Sequence, residues 1–247
     1  MIRTLEEVSM DAWPALKTLF CDGWVLRFAE GYTRRANSIH PLYAPQGDVE
    51  TNIRMCEAVY AAQGLPSMFK MTPASQPAEL DALLAARGYV LDAPTSVQVL
   101  DLAGEAPAPA RSAELSPELT EAWFSAYCGM SAVAEGSVTV LRRILQAIVP
   151  PRCFAVLYDG DVPAACGLAV LEYGYLGFFE IVTAQPYRRQ GYGTQLMLNL
   201  LAWGMQNRAA TAYLQVMQNN PPALQLYAGL GFRELYPYWY RVHDGAR

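Results

Sequence analysis

The sequence predicts an α/β (α+β) fold in two domains, each a mixed, mainly antiparallel sheet flanked by helices. Near the middle of the 247 residues, the stretch "LAGEAPAPARSAELSPEL" disfavours both helix and sheet and is typical of a semi-rigid linker. On either side of it, strand-like runs alternate with runs of helical spacing. We therefore expect a first domain over residues 1–102, a linker over 103–110 and a second domain over 111–247.

The second half predicts the element order ααβββαβαββ. "SPELTEAWFSAY" begins with Ser116 as a helix cap and Pro117 in the first turn, and "VTVLRRILQAIV" has helical spacing of its apolar residues. Three strands follow in "RCFAVLYDGDVPAACGLAVLEYGYLGFFEIVTA", with a turn at "YDGDVP". The order ends with a helix, a strand, a short helix and two strands: "TQLMLNLLAWGMQN", "TAYLQVM", "PPALQLYAGL", "GFRELY" and "YWYRV".

A cationic, glycine-bearing turn, "PYRRQGYGTQLM", lies between the third strand and the long helix. A helix start exposes N–H groups without internal partners and the positive end of the dipole, so it attracts anions. Gly191 and Gly193 let a phosphate approach these groups, and Arg188 and Arg189 add positive charge. No Walker loop is present, and Leu196 replaces the third glycine of the dinucleotide fingerprint. The turn is suited to a pyrophosphate.

This turn and a downstream stretch, "NNPPALQLYAGLGF", resemble the two signatures of the GCN5-related N-acetyltransferase (GNAT) superfamily. The first is R-x-x-G-x-G; the second is Asn, then A-x-x-L-Y and L-G-F, here Asn220, Ala223, Leu226, Tyr227, Leu230, Gly231 and Phe232. The resemblance covers about residues 111–243. It implies that this half is a catalytic GNAT domain, an N-acetyltransferase that uses acetyl-CoA as cosubstrate and no metal.

The resemblance also implies roles for individual residues. The third strand would pair with the pantetheine arm, the amides of the turn would hold the pyrophosphate, and an Asn would lie beside the pantetheine. The implied cofactor-binding set is Ile181, Val182, Thr183, Arg188, Arg189, Gln190, Gly191, Tyr192, Gly193, Thr194 and Asn220. Tyr227 would protonate the leaving thiolate, since a phenol with a pKa of about 10 stays protonated at neutral pH. The alternative for Tyr227 is a helix tyrosine packed on the core.

The general base is harder to assign. An alkyl amine with a pKa of about 10.4 is about 99.9% protonated at pH 7, so its proton must be accepted by some group. Family members that acetylate protein N-termini place a glutamate on the strand after the long helix, but Gln215 stands here, which puts that activity in doubt. Glu180 in "GFFEIVT" is the best candidate, with a solvent-facing strand residue as the alternative. Glu172, close to a turn, is poorer.

The first half resembles the second in its element order. "MFKMTPASQPAELDALLAARGYVLDAPTSVQVL" repeats the strand, proline-bearing link, short helix, Gly-aromatic pair and final two strands, but Leu84 and Pro77 stand where the second half has Tyr227 and Asn220. Before the helix of the first half lies "YAPQGDVE", whose acids would repel phosphate. We infer tandem GNAT-like domains, the first a degenerate copy that does not bind CoA in the usual way. This copy would pack against the second domain and wall off the acceptor site.

Several conspicuous polar residues have two readings. Arg34, Arg35 and Asn37 in "GYTRRANS" would contact an acceptor or the other domain, or form an exposed charged strand edge. His40 and His243 have no Cys, Asp or Glu partner at ligand spacing, so structural roles are favoured over metal binding or catalysis.

Composition narrows the function classes. The net charge of −5 argues against a nucleic-acid surface and suits a cationic small molecule. The five cysteines are scattered and odd in number, which predicts reduced thiols and not a disulfide framework; they are Cys21, Cys56, Cys128, Cys153 and Cys166. The start "MIRTLEEVSMDAW" lacks a secretory pattern and no apolar run reaches the roughly 20 residues of a membrane span, so we expect a cytoplasmic protein that binds no membrane.

These observations predict direct transfer of an acetyl group from acetyl-CoA to a primary amine of a small molecule, by a monomer or homodimer. Tyr227 would act as acid and Glu180 as base. The alternative is a non-catalytic acyl-CoA-binding sensor or partner-binding module, which would need the phosphate turn but not Tyr227. A third reading, in which the ligand is another nucleotide, is the least favoured.

Overall fold

The computed structural model describes residues 1–106 and 108–243. They form two compact units: the first is made of residues 1–96, 217–219 and 236–243, and the second of the described residues between 97 and 216 together with 220–235. One position of the expected linker, 107, and the end of the expected second domain, 244–247, lie outside the described residues. The boundary at residues 103–110 stays a prediction.

The first unit contains three helices, α1 (Ile2–Ala12), α2 (Val49–Ala62) and α3 (Leu80–Ala86). Its strands are β1 (Lys17–Cys21), β2 (Trp24–Phe28), β3 (Ile39–His40), β4 (Ser67–Met71), the beginning of β5 (Val90–Asp101) and most of β11 (Arg233–His243). The strand order β1-β2-β3-β4-β11 is antiparallel except between β3 and β4. A single 3-10 turn, Arg34–Ala36, precedes β3.

The second unit has helices α4 (Glu121–Ser131), α5 (Glu135–Gln146), α6 (Tyr192–Gln206) and α7 (Pro221–Gly229). Its strands are β6 (Glu114–Ser116), β7 (Arg152–Asp159), β8 (Val162–Glu172), β9 (Tyr175–Thr183) and β10 (Thr211–Met217), with the end of β5. The order is β5-β10-β9-β8-β7-β6; β6 to β9 are antiparallel, and β10 runs parallel to β9. The predicted mixed, mainly antiparallel sheet is confirmed.

The two halves of the chain exchange their last strands. β4–α3–β5 and β10–α7–β11 have the same order, but β5 lies beside β10, whereas β11 pairs with β4, with Trp239 opposite Met71. Each half of the sequence therefore supplies a strand to the unit built mainly from the other half.

Each half was predicted to end in two strands, but β5 and β11 are each one continuous strand, and β11 runs through Pro237. Tyr236, Tyr238 and Tyr240 are all buried, and they recur at every second position on both sides of the proline. Side chains of a strand alternate between its faces, so this unbroken period keeps one buried face without a turn.

Helix α4 begins later than predicted. Thr120, and not Ser116, is the cap, and its hydroxyl accepts the N–H of Trp123 at 3.1 Å. Ser116 belongs to β6, and its hydroxyl accepts the N–H of Glu118 at 3.1 Å. Pairing of Ser116 with Phe154 of β7 keeps this segment extended, so the helix begins four residues later than predicted.

Two contacts place α6, the helix that follows the cationic turn. A Cβ atom at Gly204 would lie 2.2 Å from Leu176 Cδ2, so only glycine lets α6 approach β9 this closely. On another side of the helix, Gln195 Oε1 accepts the N–H of Ala110 at 2.7 Å, and Asn199 Oδ1 accepts that of Ala113 at 3.0 Å. The segment after the Pro/Ala stretch is thereby tied to α6.

The first unit buries an ion pair under α1. Glu6 and Lys70 are 1% and 2% exposed, and Lys70 Nζ donates to Glu6 Oε2 at 2.6 Å. The Tyr236 hydroxyl donates to Glu6 Oε1 at 2.6 Å, and Lys70 Nζ lies 4.1 Å from the centre of the Tyr238 ring. Each charge is satisfied by the other and by a tyrosine, which is the condition under which charged groups are tolerated in a protein interior.

Among the described residues, no helix is both long and apolar enough to cross a bilayer.

We predict that Glu6→Gln destabilises the protein by about 3 kcal/mol, because it leaves the buried ammonium of Lys70 without its counter-ion. Asp92→Asn is the matched control, since its partner Arg34 and Asp92 itself are 48% and 38% exposed; its cost should stay below about 1 kcal/mol. Urea unfolding followed by circular dichroism measures both. Equal losses for the two variants would contradict this account of the buried pair.

Candidate functional site

The strands β9 and β10 separate before either one ends. Their pairing runs from Thr211 opposite Tyr175 to Leu214 opposite Phe178, whereas β9 continues to Thr183. Val182 and Thr183 remain paired with Cys166 and Ala165 of β8 on their other side, and Ile181 lies in the bulge described next. The edge of β9 that turns toward β10 is therefore unpaired over these residues, and it can receive an extended ligand as an added strand. These are the three positions predicted to bind pantetheine.

A β-bulge lies at the point of separation. β9 has one residue more than β8 between two successive pairs, Cys166 with Val182 and Leu168 with Phe179. Glu180 has a φ of +53°, in the left-handed region that a non-glycine residue rarely adopts. Opposite it stands Gly167, where a Cβ atom would lie 2.4 Å from Ile181 Cδ1. The bulge bends β9 and changes the direction in which the side chain of Glu180 points.

The cationic turn leaves the start of α6 open. Arg189 and Gly191 have φ values of +60° and +86°, and no side chain caps the helix within the part of the chain described. The first backbone bond of the helix runs from the Gln195 N–H to the Gly191 carbonyl at 2.9 Å. Arg188 Nε donates to the Thr183 carbonyl at 3.2 Å, which joins the turn to the end of β9. The N–H groups of the first turn therefore point outward without an internal acceptor.

The corresponding helix of the first unit is closed. The Asp48 carboxylate caps α2 and accepts the N–H of Thr51 at 2.8 Å. Hydrogen bonds from the Thr51 side chain and backbone lower the pKa of Asp48, so the group is anionic at neutral pH. A carboxylate already occupies the position where a phosphate would bind, which agrees with the reading of "YAPQGDVE".

Gly193 lies where three elements meet. A Cβ atom there would lie 3.2 Å from Thr183 Oγ1 and 3.5 Å from Leu226 Cδ2, so the start of α6, the end of β9 and α7 converge. Tyr227 follows on α7, is 8% exposed, and has its ring centre 6.0 Å from that of Phe232. Burial raises the pKa of Tyr227 to about 12. The phenol of this buried residue therefore stays protonated at neutral pH.

The side chains of two other predicted cofactor contacts have structural partners. Asn220 caps α7, and its Oδ1 accepts the N–H of Ala223 at 3.3 Å. Tyr192 is 3% exposed and its hydroxyl donates to Asp159 Oδ1 at 2.6 Å. Tyr192 is therefore left with only its backbone to offer a ligand.

Sequence reasoning missed the partner of Glu180. The hydroxyl of Tyr127 on α4 donates a hydrogen bond to Glu180 Oε2. Trp123, four residues earlier, stacks on Tyr127 and donates from its indole N–H to the Gly167 carbonyl at 2.9 Å. The spacing of Trp and Tyr in "WFSAY" puts both on one helix face, but nothing in the sequence says that this face meets the bulge.

The polar residues of the first unit have structural roles. Asn37 is 6% exposed, and its amide bonds the backbone of the preceding loop, including the N–H of Ala29 at 2.8 Å and the carbonyl of Tyr32 at 2.7 Å. The interpretation of Asn37 as part of an exposed strand edge is wrong, because its side chain is buried and its amide hydrogen-bonds the backbone of the loop. His40 is 2% exposed, and burial, with Arg27 and Lys70 nearby, keeps its pKa well below the ordinary value.

Arg34 and Arg35 also have partners within this unit. Arg34 pairs with Asp92 at 2.7 Å, and the guanidinium of Arg35 lies 4.7 Å from the centre of the Trp13 ring. Residues 1–106 and 108–243 contain no group of three or more His, Cys, Asp or Glu side chains arranged to hold a metal ion.

Comparison with known proteins identifies the family. Residues 1–241 match the family described as "Probable histone acetyltransferase Rv0428c C-terminal". The chain belongs to this acetyltransferase family. A Bacillus subtilis (strain 168) protein named "Uncharacterized N-acetyltransferase YobR" is 28% identical over 245 residues, which cover 98% of each chain. The chain is thus a GNAT-type N-acetyltransferase, as the two signatures predicted.

Solved structures agree with this fold. A GCN5-related N-acetyltransferase from Kribbella flavida has a TM-score of 0.71 at 12% identity, covering 99% of this chain and 96% of that one. A tandem GNAT protein from the clavulanic acid biosynthesis pathway has a TM-score of 0.61 at 15% identity, covering 98% of this chain and 88% of that one. At these identities the likeness concerns the fold.

The family implies acetyl-CoA as cosubstrate, and the residues present in this acetyltransferase fit it. The uncapped N–H groups of α6 suit a pyrophosphate, and the unpaired edge of β9 suits the amides of pantetheine. Both features lie in the second unit and are joined by the contact of Arg188 with Thr183.

We predict that Asn220→Ala lowers the free energy of unfolding by about 1 kcal/mol, since it removes the cap of α7. Asn220→Asp retains an oxygen for the Ala223 N–H and should keep nearly all of that stability. Thermal unfolding tests the pair, and equal destabilisation by Ala and Asp would show that the cap is unimportant. The Kd of the Asp variant for acetyl-CoA, by calorimetry, then reports what the amide group adds to binding.

Proposed function

We propose that this acetyltransferase moves the acetyl group of acetyl-CoA directly to a primary amine of a small molecule. The observation that carries the proposal is the open start of α6 next to the unpaired edge of β9. Ile181, Val182 and Thr183 bind the pantetheine arm through their backbone. The backbone N–H groups from Arg189 to Thr194 bind the pyrophosphate, and Arg188 and Arg189 add charge.

The chemistry needs one base and one acid. Acetyl-CoA supplies an acetyl group activated as a thioester. Glu180 accepts the proton of the incoming ammonium, directly or through water, because only the neutral amine has a lone pair for attack. A carbon–nitrogen bond forms as the carbon–sulfur bond breaks, the carbonyl is polarised by the backbone N–H near Val182, and Tyr227 gives its proton to the departing sulfur.

No covalent enzyme intermediate is required. Cys153 and Cys166 are 1% and 0% exposed, and burial raises the pKa of each to about 12. Such thiols carry almost no thiolate at neutral pH and are poor nucleophiles. This supports direct transfer over an acyl-enzyme route.

The acceptor class rests on charge and on two residues. The net charge of −5 favours cationic acceptors, and Glu180 offers a carboxylate. Gln215 is half-buried on β10, and its amide cannot act as the base. The matching family is described with histone as the acceptor, and a mouse relative, 33% identical over 70 residues, is named for α/β-tubulin. Lysine peptides therefore belong in any test beside small amines.

We predict that Gly191→Glu abolishes acetyl-CoA binding, because a carboxylate at the open start of α6 repels the pyrophosphate. Gly88→Glu is the matched control: both glycines have a φ of +86° and open space where a Cβ would be, so backbone strain and added charge are alike. Calorimetry with acetyl-CoA measures both. Loss of binding in both variants, or in neither, would contradict the assignment of the turn.

The same samples then test transfer. Thiol release is followed with benzylamine, putrescine, spermidine, L-lysine and a lysine-containing histone-tail peptide. Release with small amines supports the proposal, and release with the peptide alone overturns the acceptor class. Binding without any release would favour the alternative, a non-catalytic acyl-CoA-binding module.

We predict that Tyr227→Phe lowers kcat by about 100-fold or more, with an unchanged Kd for acetyl-CoA, because the leaving thiolate loses its proton donor. The pKa of Tyr227 is raised to about 12, so the phenol stays protonated up to about pH 10. Up to that pH, we expect no decrease of wild-type kcat from deprotonation of this acid. Tyr173→Phe, at a residue 86% exposed, is the control. A wild-type kcat in Tyr227→Phe would exclude the role.

A further inference from the structure

Helix α4 presents a rigid aromatic pair to the bulge of β9. Trp123 and Tyr127 are 1% and 5% exposed, and their rings are stacked with centres 5.2 Å apart and an interplanar angle of 6°. Phe154 packs edge-on against Trp123, with centres 5.0 Å apart. Both χ angles of each ring are thus restricted by packing, so the polar atoms that the pair carries have defined positions.

Each member of the pair bonds one side of the bulge. The indole N–H of Trp123 donates to the carbonyl of Gly167 on β8, at 2.9 Å. The hydroxyl of Tyr127 donates to the carboxylate of Glu180 on β9. Gly167 and Glu180 are the residues that face one another where the register shifts. One face of α4 therefore holds both the backbone of the bulge and the side chain that the bulge redirects.

We propose that Tyr127 and Trp123 are positioning residues for acetyl transfer: Tyr127 orients the Glu180 carboxylate, and Trp123 holds Tyr127 and the bulge in register. This inference rests on the function proposed above, in which Glu180 is the base. A glutamate side chain has several rotatable bonds, and fixing it in one orientation costs conformational entropy. A donor held by a stacked ring selects one orientation before the acceptor amine arrives.

The surroundings of the carboxylate support this role. Cys166 on β8 is fully buried, and burial together with the charge of Glu180 raises the pKa of its thiol to about 12. Cys128, half-buried on α4, also has a raised pKa because of burial. Both thiols are neutral at working pH, so neither places a second charge beside the carboxylate that Tyr127 contacts.

A double-mutant cycle separates positioning from a general structural effect. Tyr127→Phe keeps the stacked ring and removes only the hydroxyl. We expect kcat to fall about 10- to 100-fold in the wild-type background, with KM for acetyl-CoA unchanged, because a misplaced base impairs the chemical step and not cosubstrate binding. In the Glu180→Gln background the same change should alter kcat less than about twofold. The acceptor is whichever amine of the panel above gives the fastest thiol release with wild type.

Two further variants sharpen the cycle. Trp123→Phe keeps an aromatic ring but loses the bond to Gly167, and it should reduce kcat with the same dependence on Glu180. Tyr158→Phe, which removes a phenol that hydrogen-bonds Glu114 on a neighbouring strand, should leave kcat unchanged. Losses from Tyr127→Phe that are equal in the two backgrounds would overturn the positioning role. A Glu180→Gln enzyme with wild-type kcat would instead refute the base assignment, and this inference with it.

A structural readout is independent of the acceptor. In crystals of wild type and Tyr127→Phe with acetyl-CoA, we expect an ordered Glu180 carboxylate in the first and a displaced or multiply oriented one in the second. An unchanged carboxylate in the variant would overturn the inference even if no amine of the panel is a substrate. Failure of wild type to release thiol, with the carboxylate displaced as expected, would count against the proposed acceptor chemistry alone.

Discussion

The candidate site depends on the separation of β9 from β10 beyond Phe178 and Leu214. Backbone groups of a central strand are normally paired on both sides, and leaving them exposed to a ligand requires a local break in the ladder. Here the bulge at Glu180 accompanies that break while the other edge of β9 stays paired with β8. This irregularity thus accompanies an unpaired strand edge, redirects a carboxylate and lies just before the end of β9 that contacts the turn preceding α6.

The two units differ in whether a side chain caps the N-terminus of a helix. The first turn of α6 follows glycine in the left-handed conformation and has no side-chain cap, whereas α2 is capped by Asp48. The same unsatisfied N–H groups exist at both helix starts before capping. A single carboxylate therefore distinguishes a helix start that can bind a pyrophosphate from one that is satisfied internally, consistent with binding in the second unit.

The exchange of β5 and β11 shows that periodicity in a sequence predicts strands but not the strands with which they pair. Strand structure was expected in both places from the residue patterns, although as two strands each, but the partner of a strand depends on contacts between residues far apart in the chain. Two strands, "GFRELY" and "YWYRV", were predicted on either side of Pro237, whereas the buried tyrosines of β11 continue one period through it. The same tyrosines satisfy Glu6 and Lys70 from a distant part of the sequence.

By itself, the sequence determined the fold class, the family and the candidate cosubstrate turn, because these depend on local patterns: alternation, helical spacing, and the fixed separations of Arg188, Gly191 and Gly193. It also indicated Tyr227 from its neighbours on α7. Only the tertiary structure decided that Glu180 lies in a bulge and is bonded by Tyr127, that Asn220 caps a helix and that Asn37 is buried. These facts depend on which faces of distant elements meet, and that is determined by packing in three dimensions and not by the order of residues along one segment.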